Sequence, residues 1–276
     1  MRGAWWRLCA ACGVVGPAAF TAAWATSTLR QTGYSIAEEH LSGLAAPDAR
    51  DPEIMIAGFV TLGACTTAFG SALEAALGGR SRTGVAPALI RGAGIATIAA
   101  GLLRRDRMLL HPADALGVGQ SWHNHGHDLV SLALYGALMV APPMLAHRLR
   151  GDPRWSALWP AAIATTGGST ALLALFWSRA VEPWNGIVQR VAVTIPMAAM
   201  AAFAIQLLRH GPAGEAEAGR PGREAGNDGQ EVEAEAGRPG REAGERRAGA
   251  QEPRGVTCSR EAVTKPPAEE AGSDRP

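Results

Sequence analysis

The chain alternates between long apolar stretches and short polar ones. Six stretches are almost free of charge: about Leu8–Leu29, Ile54–Leu77, Ala86–Leu103, Leu129–Ala146, Ala157–Trp177 and Ile187–Leu208. Each approaches or exceeds the roughly 20 apolar residues that a helix needs to cross a bilayer core. Helices of a water-soluble core would carry charges along one face. Here the charges gather at the ends of the stretches. The pattern predicts an all-α polytopic membrane protein, a six-transmembrane-helix bundle. Ala23-Trp24-Ala25 has the form of a signal-cleavage site. The apolar run around it is longer than a signal core and five more follow, so a retained first helix is expected.

After Arg209 the pattern stops. Residues 211–276 are mostly Gly, Ala, Glu, Arg and Pro, and EAEAGRPGREAG occurs at 215–226 and again at 233–244. Such a segment cannot bury enough apolar surface to offset chain entropy, so disorder is expected. The reading is a transmembrane domain over 1–210 followed by a disordered, low-complexity tail over 211–276. Composition sharpens this division. The first 210 residues hold 16 Lys and Arg against 11 Asp and Glu, whereas the tail holds 10 against 14. The net charge of +1 describes neither part and gives no reason to expect a nucleic-acid partner. Membrane lipids are the expected surroundings.

The positions of Arg set the expected orientation. With the N-terminus inside, the inner ends hold Arg2, Arg7, Arg80, Arg82, Arg91, Arg148, Arg150, Arg154 and Arg209. The outer ends hold Arg30, Arg50, Arg104, Arg105, Arg107 and Arg179. The bias favours a multi-pass protein of the cell membrane with both termini cytoplasmic. Inside the spans, Glu74 and Arg91 are expected to pair or snorkel, and Gly58, Gly63 and Gly70 to mark close helix contacts. Cys9 and Cys12 read as packing residues without partner ligands, and with Cys65 inside span two no disulfide framework is expected. Thr165 to Thr170 should bond to carbonyls of their own helix. Pro142-Pro143 reads as the end of span four.

Candidate chemistry collects in the loops on one side. Loop one (30–53) is too polar to insert, and Ser35–Leu41 within it reads as one or two amphipathic turns lying at the surface. The entrance to span four carries His123, His125, His127 and Asp128. His123 and His127 are four apart, on one helix face, and with a carboxylate nearby they form a spacing that zinc accepts. A solvated helix entrance is the plainer reading of the same residues, so no cofactor is expected, with zinc as the alternative. At the start of span six, Gln189 and Arg190 lie within the apolar region. A guanidinium there needs water or a carboxylate, and Asp106 or Asp128 is the expected partner.

The block GYSIAEEHLSGLAAPDARDPEIMIAGFVTLG, the Arg- and Asp-rich end of span three (Leu103–Met108), the histidine at span four and Trp184-Asn185-Gly186-Ile187-Val188-Gln189-Arg190 resemble a bacterial six-span family, domain of unknown function 998. The resemblance covers roughly residues 10–208. It implies a six-helix integral membrane protein with no established activity. The matching positions are Ser35, Ser42, Asp106, His127, Gln189 and Arg190. Together with Asp128 these are the candidates for a polar, outward-facing pocket. The leading expectation is a non-enzymatic membrane protein that binds a lipid or small ligand there. The alternatives are a metal-dependent membrane hydrolase using His123 and His127, and a small transporter.

Overall fold

A computed structural model of the chain describes residues 2–77, 84–108, 120–151, 153 and 155–211. The expected disordered tail with its duplicated segment and Cys258 lies outside the described residues, as do Arg80, Arg82, His111 and Asp114. The described residues are helical with no strand: α1 (Arg2–Arg30), α2 (Pro52–Leu77), α3 (Val85–Leu102), α4 (Trp122–Leu149), α5 (Leu158–Trp177) and α6 (Asn185–His210). All six contain a span long and apolar enough to cross a membrane.

Successive helices pack side by side, and α6 returns to α1, so the six close into a ring. The α1–α2–α3 arc is knit by small residues. A methyl group at Gly58 would stand 2.6 Å from the Ala23 Cβ, and one at Gly63 would stand 2.5 Å from the Gly94 carbonyl. Without a hydrophobic drive between helices in lipid, such close backbone approach is a main source of association. Gly70 likewise faces Arg91, whose guanidinium pairs with Glu74. In α5 the hydroxyls of Thr165 and Thr170 bond back to Ala161 and Thr166, and Thr166 bonds to Ala162 and across to Met139 of α4. Cys9, Cys12 and Cys65 are free thiols.

At one end the ring is filled. Trp6, Phe69, Leu73, Leu145, Trp155, Phe203 and Leu207 form a buried apolar plug shared by the helices and the α4–α5 connection. Pro142-Pro143 does not end span four: both lie inside α4, which runs on to Leu149. Neighbouring helices re-satisfy the backbone groups that proline frees, so such residues are tolerated within a span.

At the other end the ring is roofed by loop one. Ser35–Glu39 keep the exposure expected of a surface turn, but His40 and Leu41 are buried, and from there the chain bends inward as a short 3₁₀ turn, Leu41–Ala45, whose five residues are all buried. Leu41 and Leu44 join Phe20, Met55, Phe59 and Met197 in a second apolar cluster. A helix would have kept these residues at the rim, but an inward turn buries them against α1, α2 and α6. The roof's ends are tied together where Arg30 donates to Asp51 at 2.8 Å and the Arg50 amide donates to Gln31 at 2.6 Å. Asp51 has φ 54° just before Pro52 opens α2, a left-handed position that Asp accepts more readily than most residues.

Candidate functional site

Two polar assemblies stand at the roofed end. The first belongs to α6 and the roof. Gly186 and Ile187, at the first turn of α6, donate their amides to the Ala37 carbonyl at 2.7 and 3.2 Å. A side chain at Gly186 would collide with the Ile36, Ala37 and Glu39 carbonyls, so the approach requires glycine. One turn on, Gln189 accepts the Leu41 amide at 2.6 Å. Arg190 is buried and reaches up beside it. Its guanidinium donates to the carbonyls of Ile36 (3.0 Å), Glu39 (2.8 Å) and Gly186 (2.9 Å), and to the Tyr34 hydroxyl (2.7 Å). The rings of Trp24 and Tyr34 each lie 5.5 Å from it.

This corrects the expected ion pair: Arg190 pairs with neither Asp106 nor Asp128. The roof folds directly over the start of α6, so main-chain carbonyls reach the guanidinium first. Burial raises the Tyr34 hydroxyl above its ordinary pKa against the pull of Arg190. Burial likewise raises Glu39, against the Ser35 backbone hydrogen bond and Arg190. Ser35 itself stays on the outer side of the roof, where its hydroxyl accepts the Glu38 amide at 3.4 Å.

The second assembly joins the end of α3 to the start of α4. Ser121 caps α4 by accepting the Asn124 amide at 3.2 Å. Asp106 holds Ser121 in place, accepting its amide at 2.7 Å and its hydroxyl in a short contact. Asn124 is fully buried; it accepts the Asp106 amide at 3.2 Å and donates to Asp128 at 3.1 Å. Arg105 stands 3.8 Å from the other Asp128 oxygen, both side chains buried. Burial lowers the Arg105 pKa, and Asp128 and Asp106 oppose that shift.

The two candidate zinc ligands part company. His123 is exposed with its ring against Trp122, whereas His127 is buried and its Nδ1 meets the Ala100 and Leu103 carbonyls at 2.8 and 2.9 Å. Two carbonyls can only accept, so Nδ1 carries the hydrogen and caps the end of α3. Among the described residues no group of three His, Cys, Asp or Glu stands close enough to hold a metal ion.

Between the assemblies lies a cavity in the middle of the ring. Its lining follows one face of α4 (His127, Asp128, Ser131, Leu134, Tyr135 and Leu138). On α6 it follows Gln189, Val193, Pro196, Met197 and Met200. Each set spans about 16 Å of helix at 1.5 Å per residue, close to the roughly 15 Å of one leaflet's hydrocarbon. Ser42, Arg105, His127, Asp128 and Gln189 form the end under the roof, and Phe59, Leu62, Leu138, Met197 and Met200 line the shaft below. The cavity has a volume of about 80 Å³. Of the expected site residues, Ser42, His127, Asp128 and Gln189 line it; Ser35, Asp106 and Arg190 do not.

Sequence reasoning passed over Arg105, Ser121, Asn124 and Tyr34. Ser121 with Asn124 three residues on has the form of a helix start, and Arg105 was visible only as one of several charges at a membrane end.

A closed ring of six spanning helices around an amphipathic central cavity defines the class: a multi-pass membrane protein with an internal chamber. The family model described as "Protein of unknown function (DUF998)" matches residues 14–206, and the chain belongs to that family. No curated protein and no solved structure matches the chain.

Proposed function

We propose that the ring binds a membrane amphiphile in its central cavity, the polar end beneath the roof and the hydrocarbon down the shaft. The observation that carries this reading is the cavity's own gradient. Buried polar groups crowd one end, and a mostly apolar lining follows for about 6 Å along α4 (Leu134 to Leu138) and about 10 Å along α6 (Val193 to Met200). Pockets that take ligands combine such apolar walls with a few convergent polar groups. The Arg distribution supports cytoplasmic termini in the cell membrane, with the roof outward.

Native mass spectrometry of the protein in lipid nanodiscs tests the reading. The wild-type chain is expected to retain a bound lipid after collisional release of the bilayer. Met197→Trp and Met200→Phe, which fill the shaft, should lose it while keeping thermal stability. Equal retention by folded shaft-filled variants would overturn the proposal. Reporter fusions after Arg150 and Arg209 should both read as cytoplasmic; an exported signal at either refutes the orientation.

A further inference from the structure

The polar end of the cavity is specific enough to name the head it takes. We infer that the ligand is a single-chain lipid with an uncharged, hydroxyl-bearing head, of the monoacylglycerol or long-chain alcohol type, held by Ser42 and His127. This rests on the amphiphile reading above.

Three features converge. Ser42 is 5% exposed, lines the cavity, and its hydroxyl has no hydrogen-bond partner in the protein. A buried hydroxyl left without a partner is costly, and such groups are ordinarily satisfied by protein, water or ligand. His127 is the second feature. With its Nδ1 hydrogen committed to Ala100 and Leu103, His127 as a neutral ring lining the cavity has only Nε2 left, as an acceptor. A carboxylate or phosphate head brings acceptors and leaves that nitrogen unanswered. A hydroxyl donates to His127 and accepts from Ser42 at once.

The third feature is charge balance. Arg105 and Asp128 are the charged residues of the cavity lining, and they stand beside one another, so the chamber carries one charge of each sign. Arg190, the other buried cation nearby, is committed to the roof carbonyls and does not line the chamber. An anionic head would compete with Asp128 for Arg105, and a cationic one with Arg105 for Asp128. Either would set a third charge against a buried pair. A neutral head leaves the pair intact. The cavity, about 80 Å³, has no room for two chains and at that size admits only part of one.

Equilibrium binding to the full chain in phosphatidylcholine nanodiscs separates the possibilities, with radiolabelled monooleoylglycerol as probe and oleate and oleylamine as competitors of equal chain length. Monooleoylglycerol is expected to bind saturably and to be displaced poorly by either charged analogue. Ser42→Ala should weaken its binding about two- to tenfold, the range of one neutral hydrogen bond. The same variant should keep or raise thermal stability, because it removes the orphan hydroxyl, and Ser42→Thr should restore affinity. Stronger binding of oleate or of oleylamine overturns the head assignment while leaving the amphiphile reading standing. Unchanged monooleoylglycerol affinity in Ser42→Ala overturns the role of Ser42. Equal binding of all three probes by wild type and by folded Met197→Trp removes the amphiphile reading and this inference together.

Discussion

Arg190 offers the sharpest test of the packing at the roofed end. Its guanidinium is buried and donates to the Ile36 and Glu39 carbonyls and the Tyr34 hydroxyl, which tie residues 34–39 to α6, and to the Gly186 carbonyl within α6 itself. Hydrogen bonds from a charged donor contribute about 1.5–3 kcal/mol each when deleted singly. Four that share one side chain are not additive. Arg190→Met should therefore cost about 4 kcal/mol, most of it from acceptors left buried without donors. Arg190→Lys keeps the charge but cannot reproduce the planar fork, and should cost about 2 kcal/mol. Unfolding in mixed micelles under increasing dodecyl sulfate, followed by tryptophan fluorescence, measures both. The roof should also become accessible to protease between residues 31 and 51. A double-mutant cycle with Asp128→Asn should be additive within about 0.5 kcal/mol, because Arg190 and Asp128 share no hydrogen-bond partner. Stabilities of both single variants within about 0.5 kcal/mol of wild type would refute the clamp. A large coupling to Asp128 would restore the ion pair that the structure replaces.

Two further outcomes follow from neighbouring contacts. Gly186→Ala places a methyl group among three roof carbonyls, so it should destabilise by about 1–3 kcal/mol, the range for overpacking a tight contact; a neutral result in the same unfolding assay would show that the roof shifts freely. Burial pushes Asp106 up, but the Ser121 hydroxyl and amide, with His123 and His125 nearby, outweigh that and hold it below its ordinary value of 3.8. A depressed folded pKa contributes stability that is present above 3.8 and lost as pH falls through the folded value. Asp106→Asn should flatten that acid limb of the stability curve, and a limb unchanged in the variant would assign it to other carboxylates.

The spans were legible because the signal is local. An uncharged run of bilayer length has few other uses, and each expected boundary lies within a few residues of the helix found, except at the starts of α1 and α4, which begin six and seven residues earlier. At α4, HNHGHD looked like a polar entrance, yet Ser121 caps the helix before it and the histidines ride on its first turns. Gly58, Gly63 and Gly70 were likewise readable as contact points from residue type alone. The roof was not. Its conformation depends on Gly186, Gln189 and Arg190, about 150 positions away along the chain, and no periodicity of Tyr34–Ala46 announces an inward turn. Arg190 was correctly expected to need a partner, but sequence offered only water and carboxylates as candidates. Backbone carbonyls carry no letter, so a partner made of them is invisible until the chain is folded. Ser42 and Gln189 were found through resemblance, and their place in the chamber is a product of that same long-range fold.

The clamp on the roof has a consequence for how this protein can vary. Gly186, Ile187, Gln189 and Arg190 grip residues 36–41 almost entirely by main-chain atoms: three carbonyls and one amide. The side chains of Ile36 and Glu38 are exposed and take no part in that grip. Substitution at these two positions can therefore recolour the outer face of the roof, in charge or in shape, while its seat over the chamber stays fixed. A mutational scan would find the two sides of one contact unequal: α6 intolerant at nearly every contact position, and the roof's outer residues open to change.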